Sequence, residues 1–235
     1  MLFWYPKIKD TGIPMPRTFF VSVSKDLDLL EYVPPNNSNK FPKNLLETCQ
    51  CVAKLVFYPI FMRTDQLSGK HNWNRTCFVE KEDDLLGQII NLIEESACAG
   101  VLGIPINAFV FREFIELDWK FKAFNEMPVA RERRYFINNG AVICHHPYWI
   151  EDAIRFYRGT EEPENWRKIL SELNTETKDE IEILTKMTFK IAYLFDGYWS
   201  VDFAKTKHDG WMLIDMALGY DSWHPDCSHK LEINV

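Results

Sequence analysis

With 235 residues, 46% of them apolar and 14% aromatic, the chain has enough hydrophobic material for one large domain or two small lobes around a sizeable core. A formal net charge of −7 excludes a general nucleic-acid binder acting through a basic surface, while leaving room for a local basic cleft. No apolar run approaches the roughly 20 residues that span a bilayer, MLFWYPKIKD lacks a signal-peptide core, and the six cysteines read as free thiols of a cytoplasmic chain.

The run Gly12-Ile13-Pro14-Met15-Pro16-Arg17-Thr18 is a stiff extended lead, because each residue before a proline is pushed out of the helical region. It feeds a short strand over 19–23, and a loop over 34–42 precedes a helix over 43–55. An apolar strand over 58–64 ends in Arg63-Thr64, the loop 65–74 holds Ser68-Gly69-Lys70-His71, and 76–79 returns as a strand. Two strands flanking a small-residue loop with a lysine can lay backbone N–H groups and an ammonium over phosphates. The spacing is not that of a Walker loop, since no second glycine precedes Gly69-Lys70 at the needed distance, and a plain turn is the alternative.

Leu85, Leu86, Ile89, Ile90, Leu92 and Ile93 fall at helical spacing within 83–97. A strand over 108–115 contains Arg112-Glu113-Phe114-Ile115. Residues 130–137 and 141–145, joined by Asn138-Asn139-Gly140, form a hairpin. Its first strand alternates Arg131, Arg133 and Tyr135 against Glu132, Arg134 and Phe136, so one face presents cations to salt bridges or to phosphate. His145 and His146 point to opposite sides of their strand, do not readily share a metal, and read as satisfied or stacked rings. Neither Cys49-Gln50-Cys51 nor Cys227-Ser228-His229 has the paired spacing of a zinc site. A short helix over 163–170 carries Pro163 in its first turn. Thr177-Lys178-Asp179-Glu180 resembles a capping box, opening a helix with Ile181, Leu184, Thr188, Ile191 and Leu194/Phe195 as its buried stripe. The segments 120–128 and 144–149 line an acceptor pocket or belong to the core.

Residues 198–205 and 211–216 flank the polar turn Lys207-His208-Asp209-Gly210 and read as a second hairpin. A two-residue loop pairs Asp202 with Ala217 and a four-residue loop pairs it with Asp215. Both put the two aspartates on one face, with Trp199, Val201, Phe203, Met212, Ile214 and Met216 on the other. A three-residue loop separates the carboxylates. Like charges roughly 5–8 Å apart need compensation, for which a divalent cation with phosphate oxygens is the natural candidate. Two solvated carboxylates are the plain alternative.

The order of these parts resembles the ATP-grasp superfamily over nearly the whole chain. Gly12-Ile13-Pro14-Met15-Pro16-Arg17-Thr18 is similar to its G-I-P-x-P-x-T lead, and Phe61-Met62-Arg63-Thr64 with Ser68-Gly69-Lys70-His71 resembles its phosphate strand and glycine loop. Arg112-Glu113-Phe114-Ile115 resembles its hinge strand, and Glu132-Arg133-Arg134-Tyr135-Phe136 with Asn139-Gly140 its E-x-R-x-F-x-x-x-G pair. Val201-Asp202-Phe203-Ala204 and Leu213-Ile214-Asp215-Met216 resemble its metal-binding strands. Arg63 stands where the usual strand lysine would be, which suggests a subgroup using arginines with a loop lysine.

The resemblance implies an α+β fold of two lobes with antiparallel sheets clasping a nucleotide, without a separate N-terminal domain. The expected divisions are a lead over 1–42, a smaller lobe over 43–115 and a larger one over 116–235. It implies ATP and Mg²⁺ as cofactors. Glu113 and Ile115 would hold adenine through the backbone around Phe114, and Asp118 or Glu116 would take the ribose. Arg63 and Lys70 would hold the α- and β-phosphates, Arg133 the transferring phosphoryl group, and Asp202 and Asp215 the metal. The implied reaction joins a small-molecule or peptide carboxylate to an amine or similar nucleophile through an acyl phosphate, with the acceptor site built from the chain's own loops or supplied by a protein partner. Met216, Ala217 and Leu218 follow Asp215 where the family usually places an Asn or second acid. This departure implies one Mg²⁺, a further ligand from Asp221 or Asp226, or a nucleotide-binding assembly or regulatory module with a degenerate metal site. A phosphotransferase or nucleic-acid modification enzyme is the third reading.

Overall fold

The computed structural model describes residues 1–33, 40–99, 105–156 and 163–225. Asp226, Cys227-Ser228-His229 and most of the expected 34–42 loop lie outside the described residues. In chain order the elements are α1 (Tyr5–Ile8), β1 (Thr18–Ser22), α2 (Lys43–Val56), β2 (Ile60–Thr64), β3 (Phe78–Val79), α3 (Leu85–Cys98), β4 (Ala108–Glu113), β5 (Trp119–Ala123), β6 (Met127–Ala130), β7 (Glu132–Asn138), β8 (Ala141–Pro147), α4 (Glu151–Phe156), α5 (Trp166–Asn174), α6 (Lys178–Ala192), β9 (Tyr198–Lys205) and β10 (Trp211–Leu218). They divide into a first unit, Pro16–Ile115 with Phe124–Met127, and a second, Met1–Met15, Glu116–Ala123 and Pro128–Val235. The fold is α+β, with its sheets antiparallel.

The first unit is a sheet in the order β1-β4-β2-β3. Alternation sends Val21, Ile60, Met62, Phe109 and Phe111 to one face, where they pack with Cys49, Ala53 and Val56 of α2 and Leu85, Ile89, Leu92 and Ile93 of α3. The same register sends Thr18, Phe61, Arg63, Val110 and Arg112 to the opposite face. The expected 76–79 strand shrinks to two residues, following Lys70–Arg75, which coils as 3₁₀ turns kinked at Asn72. Gln88 of α3 holds that coil by donating to the carbonyls of Asn74 (3.0 Å) and Phe78 (2.7 Å).

The second unit carries a sheet in the order β10-β9-β7-β8. Helix α6 and the chain leading into it cover the face bearing Arg133, Tyr135 and His145, as shown by the contacts of Arg133 with Glu180, of His145 with Glu176 and of Tyr135 Oη with Ile181. Thr177 caps α6 by accepting from the Glu180 amide at 3.2 Å. The Glu180 carboxylate does not complete a capping box, because it is buried against Arg133. Ile181 is therefore half-buried and Leu194 exposed, while Leu184, Thr188, Ile191 and Phe195 form the inner stripe.

The short helices α1 and α4 and the β5–β6 pair escape the periodicity reading. The turn of the latter, Phe124-Asn125-Glu126, holds φ of +49°, +57° and +75° with no glycine to announce it. The short helix expected over 163–170 runs instead over Trp166–Asn174, since the Trp166 amide bonds the Pro163 carbonyl (2.8 Å) in a preceding turn.

Candidate functional site

Strand β2 ends on Arg63, which is buried with Nε donating to the Thr64 carbonyl (3.1 Å). The chain then turns under fixed constraints. Thr64 Oγ1 accepts from the amides of Gln66 (3.2 Å) and Leu67 (2.7 Å), and buried Asp65 accepts from the amides of Asn107 (3.1 Å) and Ala108 (3.3 Å). Gly69 sits at φ +64°, where a Cβ would stand 2.9 Å from Leu92 Cδ1, so both backbone and space require glycine. Thr76 Oγ1 lies 2.7 Å from the Gly69 carbonyl and so fastens the turn that starts Lys70. Burial pushes the Cys77 thiol up to about 12, and the cations of Lys70 and Arg63 both act against that rise, so both lie in electrostatic reach of one sulfur. Arg112 shares the Arg63 face from the neighbouring strand and is as buried as Arg63.

At the end of β4, the Glu113 amide donates to the Arg17 carbonyl (2.9 Å), and Phe114 meets Phe78 at 5.1 Å. In the second unit Glu116 is exposed and pairs with Lys207 at 2.6 Å, a hydrogen bond that holds its carboxyl below the ordinary range. Asp118 pairs with Lys120 at 2.6 Å.

The hairpin β9–β10 closes through five residues, with Lys205 opposite Trp211. An odd loop would set Asp202 and Asp215 on opposite faces. A bulge between Leu213 and Asp215 absorbs one residue and brings Asp215 directly opposite Asp202. The same bulge corrects the expected apolar face. Trp211, Leu213 and Met216 are buried, while Met212 and Ile214 are only half-buried.

The register of β7 and β8 extends this pairing into a row across all four strands, Asp215–Asp202–Arg134–His146. Arg134 forks Asp202, with Nε and Nη2 each 2.7 Å from a carboxylate oxygen. Burial opposes the guanidinium charge, and Asp202 beside it outweighs that and raises the Arg134 pKa above its ordinary value. Part of the expected compensation between the aspartates thus comes from a side chain. Asp215 accepts from the Met216 amide at 2.9 Å.

Arg133, the expected phosphoryl contact, faces the other way. It is fully buried, with Nε 2.6 Å from Glu180 and 3.4 Å from Glu176, Nη1 donating to the Glu132 carbonyl, and Nη2 to those of Leu173 and Thr175. These partners lie on the face away from Asp202, so the structure does not bring Arg133 to Asp202 and Asp215.

A family model described as an ATP-grasp domain, the third family of its clade, matches residues 51–233. The chain belongs to this ATP-grasp family. Two of the solved structures that resemble it, with TM-scores above 0.5, share its fold. Cdc123 from Schizosaccharomyces pombe is 14% identical with a TM-score of 0.52, covering 92% of this chain and 81% of that one. The biotin carboxylase domain of Hydrogenobacter thermophilus 2-oxoglutarate carboxylase, solved with MgADP and bicarbonate, is 15% identical with a TM-score of 0.52, covering 90% and 38%. N5-carboxyaminoimidazole synthase from Aspergillus clavatus, solved with ADP, is 13% identical with a TM-score of 0.49, covering 91% and 42%. The chain therefore spans less than half the length of the latter two proteins. No curated protein sequence matches it.

Within this ATP-grasp chain, Arg134 and Arg112 are the residues that sequence reasoning passed over. The signal for Arg134 was present. In Glu132-Arg133-Arg134-Tyr135-Phe136 the E-x-R-x-F spacing falls on Arg134, and only the β7–β9 register decides between the two arginines. Arg112 carried no such signal, because its face follows from pairing with Thr18 and Phe61. Among the described residues no cluster of three or more His, Cys, Asp or Glu is placed to hold a metal.

Proposed function

We propose that this ATP-grasp chain is an ATP-dependent ligase that phosphorylates a carboxylate and passes the acyl group to an amine or similar nucleophile. The observation that carries the reading is the row Asp215–Asp202–Arg134, two carboxylates and a forked guanidinium on one sheet face. Arg134 takes the phosphoryl role first given to Arg133. A guanidinium held by a carboxylate is preorganised for charge developing on a transferring phosphoryl group. Arg63 and Lys70 hold the α- and β-phosphates, joined by Arg112. Glu113, Phe114 and Ile115 contact adenine, and Glu116 or Asp118 meets the ribose once its lysine partner yields.

A magnesium ion takes one or two protein carboxylates and phosphate oxygens for the rest, and Asp215 with Asp202 would be its ligands here. Bound magnesium would supply charge neutralisation at the β- and γ-phosphates. The substrates we assign are a small-molecule or peptide carboxylate and a nucleophile, offered by a cytoplasmic pool or by a protein partner.

Release of ADP and phosphate from ATP, dependent on an added carboxylate, tests the reading. AMP as the product would overturn the acyl-phosphate route. A second reading is a nucleotide-binding module with little chemistry. It is favoured by both Asp202 oxygens being engaged by Arg134 and by Ala217 and Leu218 following the last aspartate. ATP bound without turnover across carboxylates would select it.

A further inference from the structure

Beyond β10 the chain takes one 3₁₀ turn, Gly219–Asp221. A Cβ on Gly219 would stand 2.3 Å from the Tyr198 ring, so glycine lets the chain pass close to β9. Ser222 Oγ then meets Ser200 Oγ at 2.7 Å, and the Trp223 carbonyl accepts from Arg134 Nη1 at 3.3 Å. The His224 ring lies on Phe136, with centroids 3.8 Å apart and 14° between planes. Its Nδ1 is 2.5 Å from Tyr198 Oη and its Nε2 is 3.1 Å from Cys144 Sγ. A hydroxyl and a thiol can each donate or accept, so either neutral tautomer satisfies both. Ser200, Phe136 and Cys144 stand two residues from Asp202, Arg134 and His146, so these anchors share the face of the row. Trp223 and His224 are themselves exposed, so specific contacts rather than burial place this turn.

We propose that the segment Gly219–His224 is a strap that orients Arg134, with His224 as its positioning residue. The inference rests on the ligase reading, which gives Arg134 the phosphoryl contact. Asp202 grips Arg134 through Nε and Nη2, along one edge of the guanidinium. A fork on one edge still lets the group tilt about that edge, and the Nη1 bond to the Trp223 carbonyl removes the tilt. That carbonyl has no side chain to delete. The strap is instead released at His224, next in sequence and held at both ring nitrogens. Without His224 the fork on Asp202 survives while the plane of the guanidinium is no longer fixed. A misplaced charge slows the chemical step and leaves ground-state binding through other groups as it was.

The test uses the full chain with ATP, Mg²⁺ and a mixed pool of amino acids and dipeptides as carboxylates, reading ADP release. His224→Ala should lower kcat about 10- to 100-fold with KM for ATP unchanged. In an Arg134→Ala background the same change should cost nothing further, because the strap acts through that guanidinium. Losses that add in the double variant, a loss confined to KM, or no loss overturn the positioning role. Iodoacetamide labelling of Cys144, read by peptide mass, tests the strap without turnover. Cys144 is 1% exposed under the His224 ring, whereas Cys51 is exposed. Wild type should therefore label Cys144 far more slowly than Cys51, and His224→Ala should bring the Cys144 rate up toward that of Cys51. A Cys144 rate that the substitution leaves unchanged overturns the strap. If wild type releases no ADP while the labelling difference holds, it is the ligase reading that fails, and the positioning role falls with it.

Discussion

Arg133 and Arg134 are consecutive, chemically identical and both largely buried, yet strand alternation gives them opposite surroundings. Arg133 meets Glu176, Glu180 and three backbone carbonyls on the face turned away from Asp202 and Asp215. Arg134 meets one carboxylate in its own sheet, the Trp223 carbonyl at 3.3 Å and the Tyr148 ring at 4.5 Å. Burial and charge do not mark function here; the row each arginine joins does. Removing Arg133 should therefore break the fold and removing Arg134 the chemistry.

The largest effect falls on stability. Arg133→Ala takes the guanidinium from between the interior carboxylates Glu176 and Glu180 and should cost about 3–5 kcal/mol, read by urea unfolding. A loss under about 1 kcal/mol would mean that the network under α6 is not a stabilising unit. Arg134→Ala should slow carboxylate-dependent ADP release by about 10²–10³-fold, and it also leaves Asp202 uncompensated. The double variant Arg134→Ala/Asp202→Ala separates these effects. It should recover most of the lost stability and none of the activity. Recovered activity would return Arg134 to a structural role.

How much of this was legible beforehand follows the same division. Helices α2, α3 and α6 and most strands follow from spacing and caps, because burying one face imposes a period on the residues. The shared face of Asp202 and Asp215 was readable only as a parity argument, and it holds through a compensation that the residues do not announce. The five-residue loop reverses the parity, and the bulge at Ile214 restores it. Arg134's pairing with Asp202 depends on contacts 68 residues apart, which no local pattern encodes. The β5–β6 turn was missed because three residues with side chains adopt the left-handed conformation that usually signals glycine.

Asp215 and Lys70 sharpen the contrast from the side of the ligand. Asp215→Ala removes a half-buried carboxylate opposite Asp202 and should abolish magnesium-dependent tightening of ATP binding in calorimetry while the melting temperature holds. Unchanged affinity would favour a metal-free binding module. Lys70→Ala, in a turn already fastened by Gly69 and Thr76, should alter stability by no more than about 0.5 kcal/mol and weaken ATP binding. A large unliganded destabilisation would make Lys70 part of the turn's structure.

The smallest effect is a pH dependence. His146 has its folded pKa lowered by burial first, while the unfolded chain keeps the ordinary value near 6.5. A group depressed on folding takes up protons more readily in the unfolded state. Its neutral form therefore adds stability in full above pH 6.5, and that share is lost as pH falls below it. Carboxylates titrate over part of the same range, so wild type alone does not isolate this contribution. The difference between wild type and His146→Gln does, since Arg134, Asp202 and His224 are common to both. The variant should lose less stability than wild type between pH 6.5 and 5. Parallel curves would mean that the His146 ring binds protons equally in both states, which the enclosed Nε2 does not allow.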